Sequence, residues 1–182
     1  MEDLSLHILD IVENSLNAGA TIVDITIKED AHGDLLTIEV KDNGRGMDTR
    51  TSDNARDPFY TTRTTRRVGL GLPMLEEAAK AANGGMVITS APGEGTTITV
   101  TFQLSHIDRK PLGRMADTVT AIIAGRPEVD LNYRHERAGE SIVFSTKDIK
   151  ERFQDLPLNS TQALSFIREY LTQEENGLTY HA

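Results

Sequence analysis

The period of the apolar positions changes several times along the first hundred residues. From residue 4 to 18 a 3.6-residue spacing places Leu4, Ile8, Leu9, Ile11, Val12 and Leu16 on one broad arc. That spacing predicts an amphipathic helix. His7, Asp10, Asn14 and Asn17 fall on the opposite stripe, and Gly19 stops the helix. The pattern then alternates: Val23, Ile25 and Ile27 point one way and Asp24, Thr26 and Lys28 the other. Leu36, Ile38 and Val40 repeat this after a turn around Gly33. A third strand is expected from Met86 to Ser90. A fourth follows, with Ile98, Val100 and Phe102 inward and Thr97, Thr99 and Thr101 outward. Clean alternation implies a sheet covered on one face only. A further helix is expected from about Pro73 to Asn83, ended by Gly84-Gly85.

These elements predict an α/β (α+β) fold: a two-layer sandwich, with helices on one face of a mixed, mostly antiparallel sheet. Residues 40–70 form its one long loop region, and loops of that length are usually functional. Beyond a connector at 106–111 the pattern predicts a helix at 112–124, a hairpin turning at Ala138-Gly139, a short helix after Thr146 and a last helix opening near Ser160. The end is expected to fray from about Glu174. This reads as a small C-terminal α/β appendage, residues 105–182, packed on a first unit of residues 1–104.

Composition narrows the function classes. The chain has 182 residues, is 38% hydrophobic and contains no cysteine, so disulfides, thiolate metal sites and cysteine nucleophiles are excluded. A net charge of −9 argues against broad binding to nucleic acid or anionic membrane. No secretory leader or apolar run long enough to span a bilayer is read, so a cytoplasmic location is expected.

Three constellations carry candidate chemistry. The helix stripe reads either as a solvated face or as a site for a hard cation with a neutral amide oxygen as ligand; two amides, Asn14 and Asn17, are unusual for a solvated face, since asparagine is a poor helix former. Asp10, one turn from Asn14, would orient water. Asp42 keeps the inward parity of its strand, and a buried carboxylate needs donors, such as an amino group on a ligand ring. Gly44 and Gly46 would allow close approach. The Asn43-Gly44 pair could instead mark a hairpin turn, but no return strand follows Met47. Finally, hydroxyls, Arg63, Arg66, Arg67 and Gly69-Leu70-Gly71-Leu72 lead into a helix N-terminus, a place that favours anions. The motif is neither a P-loop nor a Rossmann fingerprint.

Taken together, Asp10-Ile11-Val12-Glu13-Asn14, Asp42-Asn43-Gly44-Arg45-Gly46, Asp57-Pro58-Phe59-Tyr60, Gly69-Leu70-Gly71-Leu72 and Pro92-Gly93-Glu94-Gly95-Thr96-Thr97 resemble, in order, the motifs of the GHKL superfamily. This superfamily comprises gyrase-type topoisomerases, the heat-shock chaperone ATPase, histidine kinases and mismatch-repair ATPases. The resemblance covers about residues 4–103 and implies a stand-alone bacterial member with a histidine kinase-like ATP-binding domain. It further implies ATP and Mg²⁺ as cofactors, with Asn14 on the metal and Asp42 on the adenine amino group. Gly44, Gly46, Met47 and Thr96 would line the adenine pocket. Asn17, Arg63, Arg66, Gly69, Leu70, Gly71 and Leu72 would complete the nucleotide site, and Asp10 would be the catalytic carboxylate. Two departures matter: hydrolytic members carry Glu at the place of Asp10, and kinases commonly carry Gly at Arg67.

The helix bearing Asn14 begins almost at Met1, so a phosphoacceptor would have to come in trans. His7 is read as a structural or supporting histidine. The favoured function is a kinase-like subunit passing a phosphoryl group to a partner protein. The alternatives are an ATP-driven switch or weak ATPase like the gyrase and mismatch-repair modules, with Lys147 and Lys150 as weak counterparts of a transducer lysine, and a regulatory subunit that only binds nucleotide. Expected partners are an adenine nucleotide, a phosphoacceptor protein and a second copy of the chain in a homodimer; nucleic acid and membrane are not expected.

Overall fold

The computed structural model describes residues 3–48, 51, 71–152 and 156–179. Among these, five helices and six strands form an α+β sandwich. The elements are α1 (Leu4–Asn17), β1 (Ile22–Asp30), β2 (Leu35–Asp42), α2 (Gly71–Ala81), β3 (Gly85–Ala91), β4 (Gly95–Gln103), α3 (Met115–Gly125), β5 (Asp130–Arg137), β6 (Glu140–Ser145), α4 (Thr146–Arg152) and α5 (Thr161–Thr179). All six strands belong to one sheet, ordered β3-β4-β2-β1-β5-β6. Every neighbouring pair is antiparallel except β1 and β5.

Strand parity puts one face of this sheet inside. Val23, Ile25 and Ile27 on β1, Leu36, Ile38 and Val40 on β2, and Ile98, Val100 and Phe102 on β4 are all buried, as the alternation predicts. Leu131 and Tyr133 continue the rows on β5, and Ile142 and Phe144 do so on β6. Helix α1 lays Leu4, Ile8, Ile11, Val12 and Leu16 on that surface. Its first turn is fixed twice. The Asp3 carboxylate accepts the Leu6 N–H at 3.1 Å, and the carbonyls of Pro111 and Leu112 accept the N–H groups of Leu4 and Ser5.

The C-terminal elements extend the same layers. β5 runs in register with β1 from Ile22 opposite Asp130 to Glu29 opposite Arg137. A half-buried pair bridges these strands: His135 Nε2 lies 2.9 Å from Glu29 Oε1, and that bond holds the Glu29 carboxyl below its ordinary pKa. Ala138 and Gly139 both have positive φ (52° and 83°) and turn β5 into β6, a geometry that suits a two-residue primed turn. Helix α5 packs on α3 with Ile167 and Leu171 fully buried.

Three boundaries differ from the sequence reading. α2 spans 71–81 rather than 73–83, and α3 begins at Met115 rather than Leu112 because residues 111–112 lie alongside α1 instead. α5 continues to Thr179 past the expected fraying point, held down by buried Leu178.

Candidate functional site

The site is organised around the inner end of β2. Asp42 is buried, 7% exposed, where its parity puts it. Its Oδ2 accepts the Ser15 hydroxyl at 2.6 Å and its Oδ1 accepts the Gly44 N–H at 2.8 Å. A carboxylate has about four acceptor positions, so these two donors fix its orientation and leave acceptor capacity for a third.

The segment after β2 is not a hairpin turn. Asn43 turns back and clamps the α1–β1 corner: its Oδ1 accepts the N–H groups of Thr21 and Ile22, and its Nδ2 donates to Thr21 Oγ1. The Arg45 N–H donates to the Ala18 carbonyl, and the Arg45 carbonyl accepts the Gly93 N–H. Met47 donates its N–H to Ser90 Oγ at 2.8 Å, and the same hydroxyl contacts Thr96 Oγ1 at 2.9 Å and the Gly95 carbonyl. The loop is thus pinned between the end of α1 and the β3–β4 turn. Gly46, at φ +66°, makes this approach possible, because a Cβ there would overlap the Ala91 carbonyl.

The polar stripe of α1 divides by depth. Asp10 and Asn14 are half-buried, Asn17 is exposed, and His7 is buried. Asp10 reaches the start of α2, where a Cβ on Gly71 would overlap its carboxylate. Leu72 beside it packs on the core. Burial pushes the His7 pKa down to about 4, reinforced by the positive charge of Lys110, so the ring is neutral at neutral pH.

The structure therefore brings Asp10 to Gly71, Asp42 to Gly44, and Met47 to Thr96 through Ser90. Thr96 also stands opposite Asp42 in the β2–β4 register. Asn17 sits exposed at the last residue of α1. Arg63, Arg66, Arg67, Gly69, Leu70 and the Asp57–Tyr60 motif lie outside the described residues. Lys150 is occupied elsewhere: its ammonium holds Asp130 Oδ1 at 2.9 Å and the Glu128 carbonyl at 3.2 Å. Sequence reasoning did not single out Ser15 or Ser90. A hydroxyl on the apolar side of α1, facing a strand whose inward parity ends in a carboxylate, was the available signal for Ser15.

Residues 2–106 match the model of the family of histidine kinase-, DNA gyrase B- and HSP90-like ATPases. The chain belongs to this family, and the matched residues form an ATP-binding, histidine kinase-like domain. Among curated proteins it is 35% identical over 110 residues to a putative sensor protein of Shewanella frigidimarina, covering 59% of this chain and 17% of that one. It is 37% identical over 97 residues to the sensor protein kinase FleS of Pseudomonas aeruginosa, covering 53% of this chain and 24% of the relative. The chain thus spans a quarter or less of these relatives' length. Among solved structures, the N-terminal domain of a DNA repair protein shares the fold, with a TM-score of 0.55 over 79% of this chain and 52% of that chain at 18% identity. No described helix is long and apolar enough to cross a membrane.

Proposed function

We propose that the chain binds Mg²⁺-ATP between α1, the loop after β2 and the start of α2, and passes the terminal phosphoryl group to a separate protein. The observation that carries this is Asp42: a buried carboxylate, oriented by Ser15 and Gly44, with room for one more donor. A ring amino group would supply a third donor of the right polarity. Gly44, which donates to Asp42, and Thr96, its register partner, would form the base pocket together with Gly46 and Met47.

Further along α1, Asn14 offers an amide oxygen to Mg²⁺, whose shell is otherwise completed by phosphates and water. Gly71 and Leu72 open α2 toward the phosphates, where a helix N-terminus favours negative charge. Asn17, Arg63, Arg66, Gly69 and Leu70 stay in this reading on sequence grounds. Asp10 orients the attacking hydroxyl or water; bound ATP supplies the phosphoryl group. Similarity to a sensor protein kinase supports transfer over simple hydrolysis.

The test is incubation with γ-labelled ATP in the presence of proteins that co-purify with the chain. Label on a partner is the expected result. Free phosphate and ADP as sole products would replace the kinase reading with that of an ATP-driven switch. Unaltered ATP affinity in Asp42→Asn would remove the adenine assignment altogether.

A further inference from the structure

Ser90 stands where three segments meet and has a single proton to share among them. Its Oγ accepts the Met47 N–H at 2.8 Å, lies 2.9 Å from the Gly95 carbonyl and lies 2.9 Å from Thr96 Oγ1. Chemistry fixes the first two contacts, because a backbone N–H only donates and a carbonyl only accepts. The contact between the two hydroxyls runs either way. When Ser90 donates to Gly95, its oxygen accepts both the Met47 N–H and the Thr96 proton, and Thr96 is left as an acceptor. When Ser90 turns to donate to Thr96, the Thr96 proton is released to donate elsewhere. Rotation about one Cβ–Oγ bond therefore reverses the polarity of Thr96.

Thr96 holds the middle of a polar row. Ser90 is its partner in the β3–β4 register, and Asp42 is its partner in the β2–β4 register. All three keep the inward parity of their strands: Ser90 follows Met86 and Ile88, Thr96 precedes Ile98 and Val100, and Asp42 follows Ile38 and Val40. Neighbouring strands lie about 4.8 Å apart, close enough for one planar base to meet Asp42 and Thr96 together. Backbone contacts keep this corner tight: a Cβ on Gly95 would overlap the Asp42 carbonyl, and one on Gly46 would overlap the Ala91 carbonyl.

An ionised Asp42 only accepts, so it reads an amino group. The ring position beside that amino group is a bare nitrogen in adenine and an N–H in guanine. The first calls for a donor at Thr96, the second for an acceptor. A threonine proton with no acceptor in a closed pocket would be penalised, and Ser90 is the acceptor that takes it up. We propose that Ser90 is a positioning residue that lets Thr96 take either polarity, so that the pocket reads the amino group through Asp42 and tolerates either partner at the adjacent ring position. This role rests on the nucleotide reading and deepens it, through a side chain that acts on the base by way of Thr96.

The experiment compares Mg²⁺-ATP with its deaza analogue, in which the ring nitrogen beside the amino group is replaced by C–H, by calorimetric titration of the full chain. The ratio of the two Kd values isolates that ring atom, and any loosening of the Met47 loop weakens both ligands and cancels. The parent should bind the two within about twofold, because the bond gained at the nitrogen offsets the one Ser90 gives up at Gly95. Ser90→Ala should raise the preference for ATP by roughly 2- to 12-fold, the worth of one hydrogen bond. Ser90→Thr, which keeps the hydroxyl, should behave as the parent, and Ser90→Ala with Thr96→Val should lose the added preference. Equal ratios in the parent and Ser90→Ala would overturn the proposal, as would a rise that survives Thr96→Val. A reading that needs no variant to fold is the NMR shift of the Gly95 carbonyl carbon, which should differ between the ATP-bound and deaza-bound parent; identical shifts would also overturn it. Binding of ATP with either negative result leaves the nucleotide reading standing, whereas a parent that binds neither ligand overturns both.

Discussion

The Ser15 hydroxyl donates to Asp42 Oδ2 at 2.6 Å, joining the buried side of α1 to the inner end of β2 across 27 residues of sequence. The bond belongs to the fold and the site at once: it ties a helix to the sheet and aims a carboxylate. Ser15→Ala leaves Asp42 with one donor fewer in a buried place. The expected loss is about 1–3 kcal/mol of unfolding free energy, read from the urea midpoint, together with weaker ATP binding. Unaltered stability and affinity would mean that Gly44 alone holds the carboxylate.

Asp42→Asn separates the site from the fold. The amide preserves shape and can still accept from Ser15 or Gly44, but it presents fewer acceptor positions and no charge to the ligand. ATP affinity should fall by about 1–3 kcal/mol, or roughly 5- to 150-fold in Kd. Titration calorimetry with ATP checks this.

Gly71→Ala tests the junction between α1 and α2. Alanine is favoured over glycine in a helix by about 1 kcal/mol, yet here its methyl would overlap the Asp10 carboxylate. The substitution should therefore destabilise the chain despite its helix propensity. Adding Asp10→Ala should recover stability in the double variant, a coupling that a double-mutant cycle measures directly. Additive losses would place the strain elsewhere.

The buried imidazole also predicts an acid dependence. His7 titrates near 4 in the fold against 6.5 in a model chain, with Lys110, the amino terminus, Asp3 and the Gly71 backbone as the groups acting on it. Between those values the unfolded chain binds the extra proton, so the stabilising neutral state is retained above about pH 6.5 and is progressively lost as pH falls toward 4. Each unit of that gap is worth about 1.4 kcal/mol. Denaturation midpoints of the parent should drop more steeply over this range than those of His7→Leu. Parallel curves would show that other groups govern acid unfolding.

Much of the fold was legible because its elements are locally consistent. The arc of α1, the alternation of β1, β2 and β4, and the Ala138-Gly139 turn each follow from short-range pattern. The inward direction of Asp42 followed from parity alone. What pattern could not supply was neighbourhood. The pairing of β5 beside β1 depends on contacts such as Glu29 with His135, separated by 106 residues. His7 is buried on a stripe that periodicity assigns to solvent, because burial there is set by tertiary neighbours that a helical period does not register. The family motifs marked Asp10, Asn14 and Asp42, but the serines that brace the site, Ser15 and Ser90, carry no motif of their own.

The parallel pairing of β5 with β1 changes what counts as a safe place to cut the chain. The family match ends at residue 106, before β5 begins. A fragment ending there would turn β1 from an interior strand into an edge, with the N–H and C=O groups that now bond to β5 left open along nearly its whole length. Exposed edges of that kind recruit strands from other molecules. Such a fragment should aggregate more readily than the full chain, so the residues beyond the matched domain act as its built-in guard against open-ended association.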